Sequence, residues 1–139
     1  ALRNQAPLDW LGSISTQDVD GREMVDLKMQ GTAIFVDVAR LYALAHGVSA
    51  TNTRRRFEAI AVALNAEPQE SEGWSGAFEF LQMLRLQVQL RPPGGTVAPA
   101  ANPNLVEPAA LNDIDRRVLK ECFRVMRRLQ QRMELDYQR

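Results

Sequence analysis

Few groupings in this chain have the residue types and spacing that chemistry requires. The first is Gly12-Ser13 followed by Asp18-Val19-Asp20. A glycine-serine turn can hold a triphosphate, and two carboxylates on one face of a strand can hold magnesium, which is the layout of a nucleotidyl-transferring site. Here the two parts lie close together in sequence, the acids are not set in a β-rich run, and no sheet is expected to supply a third carboxylate. A polar loop is the better reading. The second grouping is Arg54-Arg55-Arg56, in the first turn of an expected helix, where the macrodipole disfavours each cation by a few tenths of a kcal/mol. Free backbone amides and guanidinium forks together would make an anion site for a phosphate or carboxylate. The competing reading is solvated arginines, or pairing with Glu58.

The third feature is Arg85, which helical spacing puts inside an apolar stripe with Trp74 and Phe78, beside Gln82 and Gln89. A buried guanidinium needs a partner, and breaking such an ion pair costs about 3–5 kcal/mol. Asp26, Asp37 and Asp115 lie near apolar segments. Asp115 follows Asn112 at capping distance, which assigns it to the start of the last helix and leaves Asp26 and Asp37 for Arg85. Arg85 is then either an internal ion pair joining helices or the lining of a cleft. Arg40 presents the same choice, with Asp37 as its simplest partner. His46 at a helix end reads as a C-terminal cap and Cys122 as packing, since neither has the neighbours of a nucleophile.

Composition narrows the classes further. The chain has 139 residues, 17 basic and 17 acidic side chains, one histidine and one cysteine. That length suits one compact domain. A net charge of zero lacks the footprint of a dedicated nucleic-acid binder. A lone cysteine forms no internal disulfide, and Cys122 with His46 is too few ligands for a zinc site. No run approaches a membrane span, and no signal-peptide order opens the chain, so a cytoplasmic setting is expected. Starting at Ala1 without methionine, the chain reads as a piece of a longer one.

The elements that must position these residues are mainly helices. Residues 1–28 read as an N-terminal arm, irregular or β-like, with turn-forming Asp18, Asp20 and Gly21. Residues 29–139 read as a helical bundle, the two parts making one domain overall. Ala33–His46 is apolar on almost every side, ends at Gly47, and should be central. Thr53–Leu64 is a short amphipathic helix capped by Asn52 or Thr53, ending near Asn65 and Pro68. A third helix runs from about Glu72 to Leu90 with Trp74, Ala77, Phe78, Leu81, Leu84 and Val88 on one stripe. The Pro/Gly/Ala-rich stretch 92–110 is long for a connection inside a domain, and is either mobile or functional. In the last helix, Asp113–Tyr137, Ile114, Val118, Leu119, Cys122, Val125, Met126, Leu129 and Met133 form the apolar face. Arg116, Arg117, Lys120, Arg124, Arg127 and Arg128 form the other, a solvated face rather than an RNA-binding one because stacking aromatics are absent there. The fold class is all-α, a bundle of about four to five helices.

Further residues fall in a familiar order: Asp26-Leu27-Lys28, Gly31, Ala39-Arg40-Leu41 with Ala43-Leu44 and Gly47, and Thr51-Asn52-Thr53 with Arg56. Phe80-Leu81, Leu84-Arg85-Leu86 and Gln89 continue it, then Asn104, Pro108, Leu111 and Asp115-Arg116-Arg117 with Leu119. From Pro7 onward the chain thereby resembles the family of nucleotidyltransferase substrate-binding domains. In longer bacterial signalling proteins such domains follow a catalytic domain related to that of the uridylyltransferase acting on the nitrogen-regulatory signal protein. The resemblance implies a noncatalytic bundle that packs beside this nucleotidyltransferase domain of the same polypeptide and helps form its acceptor-substrate cleft. Magnesium and a nucleoside triphosphate are then expected in the catalytic domain, and no cofactor in this chain. Upstream cyclic-nucleotide-binding or cystathionine-synthase-type sensory domains, and a homodimer, are the further partners it brings in, with signal relay or dimerisation as the alternative role. The polar positions of the pattern are Asp26, Lys28, Arg40, Thr53, Arg56, Arg85 and Gln89, and these are the candidate substrate-binding residues. Arg54 and Arg55 lie outside the pattern, leaving Arg56 as the survivor of the triple arginine.

Overall fold

The structure is a computed structural model that describes residues 7–8, 14–47, 52–90 and 103–137. Its first elements are two strands, β1 (Gln17–Val19) and β2 (Arg22–Asp26), paired antiparallel with Val19 opposite Arg22. A two-residue loop with positive φ at both positions matches the right-handed twist of a hairpin. Asp20 (φ 53°) and Gly21 (φ 80°) supply it, and the Asp18 carboxylate accepts the Gly21 N–H at 2.9 Å. The β-like reading of the arm therefore holds for these residues. A third strand, β3 (Leu105–Val106), pairs with β2 from the far side, placing Val106 opposite Val25 and Leu105 opposite Asp26. The sequence gives no sign of β3, because a two-residue strand contributed from downstream of the third helix carries no periodicity of its own.

A π-helical turn (Lys28–Thr32) leads directly into α1 (Ala33–Ala45), with the Thr32 N–H donating to the Leu27 carbonyl at 2.9 Å. Gly47, at φ 67°, takes the left-handed conformation that stops α1 where the sequence predicts. In α2 (Thr53–Ala63) Asn52 is the cap, its side chain accepting from the Arg54 and Arg55 amides. The third helix, α3 (Pro68–Gln89), begins four residues before the expected Glu72. In sequence Pro68 marks the end of the preceding helix. It is the first residue of the next one, where its missing N–H costs nothing and its φ is already helical. A short 3₁₀ turn (Pro108–Ala110) precedes α4 (Asp113–Tyr137), whose limits match those predicted. Asn112 Oδ1 accepts the Asp115 N–H at 2.8 Å and Asp115 Oδ2 accepts from the Asn112 side chain, so the expected cap is formed.

The fold is thus mainly helical, four α-helices with a small antiparallel sheet among the described residues. The helices pack as a ring, α1 on α2, α2 on α3, α3 on α4 and α4 on α1. Aromatic side chains fill the middle. Phe35 of α1 meets Phe57 of α2 edge-on at 6.0 Å and Phe78 of α3 at 6.3 Å, and Phe57 in turn meets Trp74 at 5.8 Å. Burying such rings yields about 1.5–3 kcal/mol each. The ring corrects the expectation that α1 lies enclosed between the others. Phe35, Val38, Ala39 and Tyr42 are fully buried, but Leu41 and Leu44 are exposed on its outer side.

Two details of α4 also differ from the helical-wheel reading. Ile114 and Val118 are exposed although they continue the stripe, whereas Phe123 is fully buried. The basic face is only partly a solvated one. Arg116 donates to the carbonyls of Pro108, Ala109 and Leu111, strapping the 3₁₀ turn to the helix start, and Arg127 donates to the Leu8 carbonyl at 2.8 Å. Tyr42 donates to Asp136 at 3.1 Å, joining α1 to the end of α4, and stacks on His46. No described helix is long and apolar enough to cross a membrane.

Candidate functional site

Four of the seven candidate residues gather where β2 turns into the π-helical segment and α3 passes over it. Asp26, at the end of β2, is buried, and one carboxylate oxygen accepts the N–H groups of both Lys28 and Met29 at 2.9 Å. This local turn, which suits an aspartate whose acceptor reaches two residues on, fixes the exit of the strand. The next amide, Leu27, donates to the Asn104 carbonyl at 2.9 Å, so β3 is clamped against the same corner.

Asn104 then spends its side chain on α3. Arg85 Nε donates to Asn104 Oδ1 at 3.1 Å, Gln89 donates to the same oxygen at 3.5 Å, and the other arm of Arg85 donates to Thr32 Oγ1 at 3.0 Å. Thr32 is buried at the junction of the π-helical turn and α1. One guanidinium thus ties α3 to two loops brought together by the small sheet. Neither Asp26 nor Asp37 is its partner, and no acid among the described residues lies within ion-pair distance of Arg85. The physical reason is exposure. Arg85 is half-buried, so two neutral acceptors and contact with water suffice where a fully buried cation would demand a carboxylate. Two of its five N–H donors are committed, leaving three for other acceptors. Lys28 is exposed beside this corner.

The other candidates are not brought into it. Arg40 and Asp37 are both exposed on α1, and the pair expected between them does not form. Thr53 and Arg56 lie at the start of α2, and the hydrogen bonds of Arg85 go to Asn104 and Thr32 rather than to them. The helix start itself is already served. Asn52 caps it, and Arg54 pairs with Glu58 at 3.6 Å and with Glu79 of α3. The ion-pair reading of the triple arginine, proposed with Glu58, therefore holds for Arg54 and extends to a partner on another helix. Arg56 is half-buried and donates its backbone N–H to the Asn52 carbonyl.

Asp18 and Asp20 are exposed in the hairpin and belong to no metal-holding group of acids among the described residues, while Gly12 and Ser13 lie outside those residues. Cys122 is buried, and desolvation, with the Glu121 charge beside it, pushes its thiol up to about 12. A neutral thiol of that kind is packing, as expected.

Thr32 and Asn104 are the functional candidates that spacing alone misses. Asn104 stands in the family pattern, yet nothing around it in sequence signals that its side chain would hold Arg85, nineteen residues upstream. The arrangement can bind an oxygen-rich or anionic group through the free donors of Arg85, with Gln89 and Lys28 near it.

No curated protein and no solved structure matches the chain significantly. A family model matches residues 1–137, nearly the whole length, under the description "Putative nucleotidyltransferase substrate binding domain". With that match over a helical fold, the chain belongs to the family so described.

Proposed function

We propose that this domain forms one wall of an acceptor-substrate cleft beside a nucleotidyltransferase domain of the same polypeptide, with Arg85 as the anchor for an anionic or carbonyl-rich acceptor. The observation that carries this reading is a half-buried guanidinium held by neutral groups only, Asn104 and Thr32, with its charge uncompensated and three donors spare. Gln89, Asp26 and Lys28 frame the same corner, Asp26 by shaping the backbone on which Lys28 sits. Arg40, Thr53 and Arg56 would contribute only where the catalytic neighbour reaches across to them. Magnesium and the nucleoside triphosphate belong to that neighbour, and the transfer itself is carried out there, in a cytoplasmic bacterial signalling protein.

The test is Arg85→Met in the full-length protein, which keeps the side-chain stem and removes the donors. The expected result is a KM for acceptor raised at least tenfold with nucleotide binding unchanged. Transfer at the wild-type KM would overturn the reading.

A second reading, dimerisation or relay from sensory domains, draws on a different observation. Leu86 and Leu90 at the end of α3 and Ile114 at the start of α4 are large apolar side chains left exposed. If that role is right, Leu86→Lys with Ile114→Lys shifts the light-scattering mass to that of a single subunit. An unchanged mass removes it.

A further inference from the structure

A concavity lies away from Arg85, between the first turns of α3 and the second half of α4. It measures about 360 Å³, within the range of small-molecule sites. Trp74, the lining residue of α3 nearest to Arg85, precedes it by eleven residues, about 16 Å along the helix, so the two places are separate. Trp74 lies in its lining, with Val125 and Leu129 of α4 as apolar walls, and Arg128 and Arg132 stand one helical turn apart at its edge. Arg132 reaches across to Glu70 at 2.7 Å, and Arg128 is held back by Glu121 at 3.1 Å.

Two observations set this groove apart from a chance dent. Trp74 is only 5% exposed, and its ring packs on Phe57; its indole N–H takes no protein acceptor among the described residues and is not a buried unpartnered atom, so it reaches solvent. A donor that reaches water beside an otherwise apolar ring is open to an acceptor that enters the groove. Gly73 is the other. It sits inside a 22-residue helix, where glycine is less favourable than alanine, yet a Cβ added to it would meet no heavy atom within 4 Å. The fold does not need a glycine there. Gly73 lines the groove, and a side chain there would take up space that no other atom fills. Gly76, one turn on, is equally unobstructed but lies outside the lining.

We propose that the α3–α4 groove is a binding site for a planar ring carrying an anionic group, a carboxylate or a phosphate. The ring lies against Trp74, Val125 and Leu129 and offers an acceptor to the indole N–H. The anion takes Arg128 and Arg132, competing with Glu70 for the latter. The site is independent of the acceptor cleft proposed above, and variants at Arg85 do not touch it.

Calorimetric titration of the full chain with adenosine 5′-monophosphate and with indole-3-acetate tests the proposal and separates the two sources of charge. Adenosine and inorganic phosphate serve as ring-only and anion-only probes. At least one of the two ring-anion probes should bind with a sub-millimolar Kd, at least tenfold more tightly than either single-feature probe. Gly73→Leu fills the opening with a better helix former, so its Tm should be no lower than wild type while binding falls at least tenfold. Arg128→Gln should weaken the ring-anion probe severalfold and leave adenosine unaffected, and Glu70→Gln should tighten the ring-anion probe by freeing Arg132. Absence of binding by both ring-anion probes, phosphate binding as tightly as they do, or unchanged binding in both Gly73→Leu and Arg128→Gln would overturn the proposal. An Arg85→Met protein that loses acceptor transfer but keeps this binding would separate the two sites.

Discussion

Arg85 and Asn104 are bonded Nε to Oδ1 at 3.1 Å, and through that one oxygen α3 is tied to the strand that completes the sheet. The same asparagine accepts the Leu27 N–H with its carbonyl, so its two acceptors hold a helix and a strand exit at once. Charged-to-neutral hydrogen bonds of this kind contribute about 1.5–3 kcal/mol. Arg85→Met and Asn104→Ala should each lower stability by about 2 kcal/mol in urea unfolding. Because both remove the same bond, the double variant should cost clearly less than the sum, with a coupling of about 1 kcal/mol. Additive losses would mean that the two side chains do not act on one another.

Asp26 occupies a position in the candidate site, but its carboxylate is occupied with the Lys28 and Met29 amides. Asp26→Ala should therefore behave as a structural lesion, destabilising by about 1–3 kcal/mol because it strips two amides of their acceptor. Asp26→Asn retains an oxygen in the same place and should recover most of the loss. Thermal unfolding of the pair checks this. If Asn were as damaging as Ala, the negative charge rather than the acceptor geometry would be what the site uses.

Cys122 gives the protein a pH dependence at the alkaline end. Burial raises its thiol to about 12 from an ordinary value of 9.0, so the folded state holds the proton more tightly than the unfolded one. The stabilisation is complete below pH 9.0 and is lost as pH rises toward about 12, at roughly 1 kcal/mol per pH unit. Cys122→Ala should flatten the stability profile across that window while costing stability at neutral pH through the lost packing. Alkylation at pH 8 should proceed only in denaturant. Labelling of the native protein at the rate of a free thiol would show that the side chain is not enclosed.

The helices could be read from the chain because their causes are local. Asp113–Tyr137 matched to the residue, since a charged face, an apolar stripe at three- and four-residue spacing, and the Asn112 cap all act within a few turns. Gly47 ended α1 for an equally local reason, a backbone angle that other residues resist. Pro68 was ambiguous because a proline both stops one helix and starts another, and only the packing of its neighbours decides which. The oddity of Arg85, a cation in an apolar stripe, was also visible in sequence. Its partners were not. Thr32 and Asn104 lie 53 and 19 residues away, and their arrival depends on β3 closing against β2, a contact that leaves no periodic trace. The same holds for the groove. Trp74 and Arg132 are ordinary residues on two amphipathic helices until the bundle sets the start of one against the end of the other. Local rules determined the elements and the family pattern, and tertiary structure decided which polar groups meet, because a hydrogen bond is satisfied by whatever lies within about 3 Å rather than by what is near along the chain.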